Sequence, residues 1–154
     1  MLHQLNVVLF EPEIPQNTGS IGRLCLATGS VLHLIEPLGF EMTNSRLRRA
    51  GLDYWQYLTV KCYPGLDAFF ASISPDSAKI FFSKKAERNF YEYQFVPGCY
   101  LIFGKETAGL PSEVLTRYSS ETYKIPLYDD RVRSLNLANS VSIAVYEAIR
   151  QLGF

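Results

Sequence analysis

A series of short, almost wholly apolar runs constrains this chain more than any other feature. They are residues 5–10 (LNVVLF), 31–35 (VLHLI), 79–82 (KIFF) and 99–103 (CYLIF), with a weaker run at 57–62. Consecutive apolar residues over such short lengths read as strands covered on both faces. Between them lie segments of helical period. Residues 18–28 place Ile21, Leu24, Cys25 and Thr28 on one face, with Gly29 as a C-cap. Residues 66–73 read as a helix with Asp67 in its first turn, and Pro111 opens another that runs to Tyr118. The longest helix is expected over 135–152 with Ser134 as N-cap, and a last strand over 122–125. Thr43 or Asn44 could cap a short helix reaching Ala50. Residues 11–16 (EPEIPQ) hold two prolines and read as a loop, as does the polar stretch 83–98. Strands alternating with helices predict an α/β fold with a mainly parallel sheet.

At 154 residues the chain fits a single domain, 1–154. A hydrophobic content of 47% excludes disorder. Lys plus Arg and Asp plus Glu both number 15, which excludes a globally basic protein but leaves room for a local basic patch. Cys25, Cys62 and Cys99 are odd in number and form no CxxC, and the histidines are only His3 and His33, so no disulfide framework and no metal site is expected. The opening residues lack a basic region ahead of an apolar core, and no uncharged apolar run reaches ~18 residues. A cytoplasmic protein without membrane association is the expectation.

In parallel sheets ligands bind beyond the carboxyl ends of the strands, so the loops after strands are the places to search. Asn17 to Arg23 (NTGSIGR) follows the first strand. It is either a plain helix start or an anion site, with Arg23 one turn in. Phe103 to Pro111 (FGKETAGLP) follows the CYLIF strand, and Gly104 and Gly109 permit a sharp turn and close approach to a ligand. It matches neither a Walker A loop nor a dinucleotide fingerprint. The third segment crowds Ser134, Asn136, Asn139 and Ser140 into the entry of the last helix. Asparagine is a poor helix former, so these side chains suggest hydrogen bonds to a ligand or to buried backbone.

Taken in order, NTGSIGR, FGKETAGLP and IP…RSLNLANSVSIAVYEA resemble the three motifs of the SPOUT methyltransferases. EPEIPQNTG, IEPLGF and LRRAGLDYW resemble the TrmL (YibK-type) branch, and the likeness runs from the first strand to Phe154. The resemblance implies a SPOUT fold with a C-terminal trefoil knot and use of S-adenosyl-L-methionine, released as S-adenosyl-L-homocysteine. It implies methylation of the ribose 2′-oxygen of wobble nucleotide 34, a cytidine or modified uridine, in the anticodon stem-loop of leucine tRNAs. It also implies a homodimer in which two subunits build each site. By position, Phe82, Gly104, Ile125 and Ser134 would hold the cofactor, with Gly109, Leu110, Leu135 and Ala138 beside them. Arg23 is implied to act on the nucleophile. Arginine stays protonated, so it reads better as binding a phosphate and stabilising the developing alkoxide than as a base. Ser134 and Asn136 could orient the hydroxyl, and Glu106, the only carboxylate inside the motifs, is a reserve base. Lys105 stands where a small residue is expected and suggests a phosphate contact.

The RNA footprint expected from these residues comprises Asn17, the cluster Arg46, Arg48 and Arg49 beside Tyr54 and Trp55, and Lys84 and Lys85 with Arg88 near Tyr91 and Tyr93. Basic groups grip phosphate and aromatic rings stack bases, although each cluster is equally well an ordinary solvated surface. Two alternatives stay open. One is a SPOUT enzyme acting at another tRNA or rRNA position. The other is a non-catalytic RNA-binding relative, against which the presence of Arg23, Ser134 and Asn136 argues. A nucleotide-dependent oxidoreductase is disfavoured because no GxGxxG follows the first strand.

Overall fold

The computed structural model describes residues 4–43 and 53–154. The expected short helix over 43–50 and the cluster Arg46, Arg48 and Arg49 lie outside the described residues, apart from Thr43. The strands are β1 (Asn6–Phe10), β2 (Val31–Ile35), β3 (Val60–Tyr63), β4 (Lys79–Phe82), β5 (Tyr100–Phe103) and β6 (Thr122–Tyr123). The helices are α1 (Pro15–Thr28), α2 (Leu66–Ser72), α3 (Ser112–Arg117) and α4 (Leu137–Leu152). The strands form one six-stranded sheet in the order β3-β2-β1-β5-β4-β6, every pair parallel.

Alternation along each strand divides the core in two. Val7, Leu9, Leu32, Leu34, Ile80, Phe82, Leu101 and Phe103 point to the side where Ile21 and Cys25 of α1 meet Val141, Ala144, Val145 and Ala148 of α4. Val8, Phe10, Ile35, Phe81 and Ile102 point to the other side, against Phe69 of α2 and Val114 of α3. The apolar runs are continuous because both faces of the sheet are covered.

Several boundaries depart from expectation. Helix α1 starts at Pro15, inside the stretch expected as a loop, because a proline at the first helical position gives up an N–H that has no partner there. Gly29 is the left-handed C-cap as expected. Residues 55–57 form a 3₁₀ turn, which delays β3 to Val60. Pro111 is the N-cap of α3 rather than its first residue. Strand β6 stops at Tyr123, since Lys124 turns away to pair with the loop at Arg88 and Phe90. Asn136, not Ser134, caps α4, its side chain accepting from the backbone N–H of Asn139 at 3.2 Å.

His33 in β2 is buried in a fully paired network. Asn6 donates its amide to the Gly98 carbonyl at 3.0 Å, which turns Asn6 Oδ1 toward His33 Nε2 at 2.9 Å. Nε2 therefore carries the proton, and Nδ1 accepts from the Tyr63 hydroxyl at 2.8 Å. Burial, helped by the charge of Lys61, pushes the imidazole down to about 4. The unfolded chain takes up this proton near 6.5, so the stabilisation is complete above that pH and is lost as the pH falls toward 4. The loss is expected to reach at most about 3 kcal/mol. Urea unfolding at several pH values should show this slope, and His33→Gln should flatten it. A slope unaffected by that substitution would count against the assignment.

Candidate active site

The strand order reverses at β1 and β5, so the loops leaving their carboxyl ends diverge and open a crevice. A cleft of about 750 Å³ lies there, a volume typical of small-molecule sites. Phe82 and Phe103, register neighbours at the ends of β4 and β5, line it and stack at 4.5 Å with an interplanar angle of 2°. The loop after β4 contributes Lys84 and Lys85, the loop after β5 contributes Gly104 to Leu110, and the chain after β6 contributes Ile125, Leu127 and Arg133 to Leu137.

The loop after β5 folds back on itself. Gly109 donates to the Lys105 carbonyl at 2.9 Å, and its φ of 68° is the left-handed conformation that favours glycine. A Cβ on Gly104 would fall on the backbone of Gly109 and Leu110, far inside van der Waals contact. The close approach foreseen for these glycines is thus between two parts of the loop itself.

A reciprocal clasp ties this loop to the loop after β1. Glu106 accepts from the backbone N–H of Glu13 at 2.8 Å and of Ile14 at 3.2 Å, which places a carboxylate at the start of α1, where a helix favours negative charge. Glu13 in turn accepts from the Thr107 hydroxyl at 2.7 Å and its N–H at 3.2 Å, which holds its carboxyl below the usual range. Lys105, which also lines the cleft, pairs with Glu11 at 3.6 Å across the same two loops. Asn17 links the third segment. Its Oδ1 accepts from Asn136 at 3.0 Å, and its amide lies 3.5 Å from Glu106. The asparagine at the head of α4 therefore serves a cap and an interloop bond together.

Most of the predicted site residues converge. Phe82, Gly104, Gly109, Leu110, Ile125, Ser134 and Leu135 line the cleft, as do Asn17, Lys84, Lys85, Glu106 and Asn136. Ala138 does not. It lies within α4 and packs on the core. Arg23 does not either. It follows Asn17 by six residues, about 9 Å along α1 and some two-thirds of a turn round it, and it is exposed. There its charge acts on Tyr54, whose hydroxyl donates to the Gly19 carbonyl at 3.1 Å. Trp55 covers Gly22 so closely that a Cβ there would meet its ring at 2.5 Å, so this ring belongs to the packing of α1. Arg88 lies over the Tyr123 ring at 4.2 Å and donates to the Ser120 carbonyl, and the Tyr93 hydroxyl donates to the Lys79 carbonyl at 3.3 Å. Both are structural, which reduces the second basic cluster to Lys84 and Lys85. Thr107, Leu127 and Arg133 also line the cleft and were not singled out by sequence. Their position in the second and third motif loops was the available signal. Cys25 and Cys99 are buried, with thiols pushed up to about 12 and about 11, and none of the three cysteines lines the cleft.

A family model described as the SpoU rRNA Methylase family matches residues 4–146. A protein of Saccharophagus degradans named tRNA (cytidine(34)-2'-O)-methyltransferase is 49% identical over 150 residues, 97% of this chain and 96% of its own. A protein of the same name from Burkholderia cenocepacia is 48% identical over 151 residues, again 97% and 96% of the two chains. A solved structure concerned with 2-OH methylation of C/U34 on tRNA superposes with a TM-score of 0.92 at 46% identity, over 99% of this chain and 98% of that one.

Proposed function

This chain belongs to the SpoU rRNA methylase family, and from that premise we propose that it methylates the ribose 2′-oxygen of nucleotide 34, a cytidine or modified uridine, in leucine tRNAs, with S-adenosyl-L-methionine as donor. The observation that carries the reading is nearly full-length similarity, at 46–49% identity, to proteins described by 2′-O-methylation of nucleotide 34 on tRNA, together with a cleft lined from the three motif segments of this sequence. The donor supplies an electrophilic methyl group on a sulfonium, leaving S-adenosyl-L-homocysteine. The cleft fits it in volume and in make-up, an aromatic pair beside a tightly folded backbone turn. Gly104, Gly109, Leu110, Ile125, Ser134 and Leu135 would hold it, largely through backbone.

The residues of this chain divide by what remains free. Both Glu106 oxygens are engaged by backbone N–H groups, which favours a holding role over that of reserve base. The Asn136 amide is engaged at both ends, so it fixes the loop that carries Ser134. The exposed Ser134 hydroxyl can orient the ribose. Transfer to oxygen needs positioning above all, with stabilisation of the developing alkoxide. That second task falls to Arg23, which a cleft in a single chain does not receive. A homodimer answers this, each cleft taking Arg23 from the other copy. Exposed Leu26 on α1, with Ile143 and Tyr146 one turn apart on α4, offers apolar surface for the pairing. The trefoil knot belongs to the same reading. Its support is the path after β6, which leaves the sheet edge, crosses the ends of β4 and β5 and reaches α1 through Asn136 and Asn17. Among the described residues no helix is long and apolar enough to cross a membrane, and a tRNA substrate favours the cytoplasm.

An anticodon stem-loop with a 2′-deoxy nucleotide at position 34 tests the reaction. It keeps the base and the phosphates, so binding is expected to fall only modestly. Methyl transfer is expected to vanish because the nucleophile is gone. Continued labelling of the deoxy substrate would show that the methyl goes elsewhere.

A further inference from the structure

The segment 127–132, between β6 and α4, presents an aromatic ring that the described residues leave uncovered. Tyr128 is 92% exposed, the most open of the large hydrophobic side chains among the described residues. Leu127 and Val132 beside it are also exposed. The segment nevertheless forms a hydrogen-bonded turn of its own. Arg131 grips Asp129 with Nε and Nη2, its backbone N–H donates to the same carboxylate at 3.0 Å, and Val132 donates to the Asp129 carbonyl at 3.3 Å. The ring is therefore held out by a turn whose ion pair consumes two of its charges.

The surroundings indicate what would cover it. Leu127 and Arg133 line the main cleft, so the turn stands at its mouth. Lys84, Lys85 and Arg133 border the same cleft, and among the described residues none of them has an ion pair. Asp130 lines the same surface as the ring, has no ion pair among the described residues, and would repel phosphate there. A single strand would thus run its phosphates past the lysines and Arg133 and turn a base toward the tyrosine. Every base has a face that stacks on an aromatic ring.

We propose that Tyr128 is a stacking platform for an unpaired RNA base beside the methylated nucleotide, a role that positions the substrate and rests on the RNA methyltransferase reading above. Removing the ring takes away affinity without a charge. Tyr128→Ala is expected to weaken stem-loop binding roughly tenfold at every salt concentration, leaving the slope of log K against log salt unchanged. Tyr128→Phe should bind like the wild type, since stacking needs the ring and not the hydroxyl. Lys84→Ala and Lys85→Ala should instead lower the slope, by about 0.7 for each phosphate no longer neutralised. The variants are compared by stem-loop titration, with S-adenosyl-L-methionine affinity and sedimentation as controls. Unchanged binding by Tyr128→Ala would overturn the proposal. So would dissociation of a dimer in that variant, which would place the ring between subunits. Binding and methyl transfer are read separately, so a wild-type protein that binds the stem-loop through Tyr128 but never labels it would defeat the methyltransferase reading alone.

Discussion

Gly104→Ala is expected to abolish S-adenosyl-L-methionine binding while the sheet stays folded. The added methyl has no space, because the backbone of Gly109 and Leu110 already occupies its position. The neighbour is main chain, which cannot swing aside as a side chain would, so the loop must open. Overpacking of this kind costs about 1–3 kcal/mol, which a domain of ordinary stability survives. The opened loop, however, is the wall that would hold the cofactor. Gly109→Ala makes the contrast. Nothing lies near its Cβ position, and only the left-handed backbone resists the change, at about 1–2 kcal/mol. Its cofactor affinity is expected to fall by about tenfold and no further. Calorimetric titration alongside circular dichroism separates the two. Wild-type affinity in Gly104→Ala would remove the loop after β5 from the binding site.

The sequence disclosed the sheet because β1, β2, β4 and β5 are buried on both faces and so consist of little but apolar residues. It pointed to the loops that line the cleft for a related reason, since parallel strands end on one side and their loops must gather there. It was less informative wherever a local signal had two meanings. Pro15 reads as a breaker when its neighbours are ignored and as a helix opener once α1 is in place. Ser134 and Asn136 are both good caps, and the choice is settled by Asn17, 119 residues away, which bonds to Asn136. The clasp of Glu13, Glu106 and Thr107 was beyond reach of the sequence. Its partners are more than 90 residues apart, polar and without periodicity, so nothing marks them as neighbours until the strands that carry them pair. Trp55 shows the same limit from the other side. Next to a run of arginines it suggests nucleic acid, yet its place is set by Gly22, whose small size lets the ring lie against α1, and by the bond of the neighbouring Tyr54 hydroxyl to the Gly19 carbonyl.

Arg23→Ala is expected to retain S-adenosyl-L-methionine affinity and to lose turnover by about 10²- to 10³-fold, the usual cost of removing one group that stabilises developing charge. Affinity survives because Arg23 acts on the nucleophile, whereas the cofactor would be held by residues of the cleft itself, such as Gly104, Leu110 and Ile125. Arg23→Lys should recover little, since a single ammonium cannot reproduce the planar fork that spans a phosphate. Combining Arg23→Ala with Gly104→Ala decides how the residue reaches the substrate. Gly104→Ala lacks a cofactor loop but keeps Arg23, and Arg23→Ala has the reverse defect. If each cleft takes Arg23 from the second copy, a mixed dimer holds one intact site, formed by the cofactor loop of one subunit and the arginine of the other. After unfolding and refolding as a one-to-one mixture, two inactive proteins should then give about a quarter of wild-type turnover, because half the dimers are mixed and each has one working site of two. If Arg23 served its own cleft, every site in the mixture would carry one lesion or the other, and no activity would return.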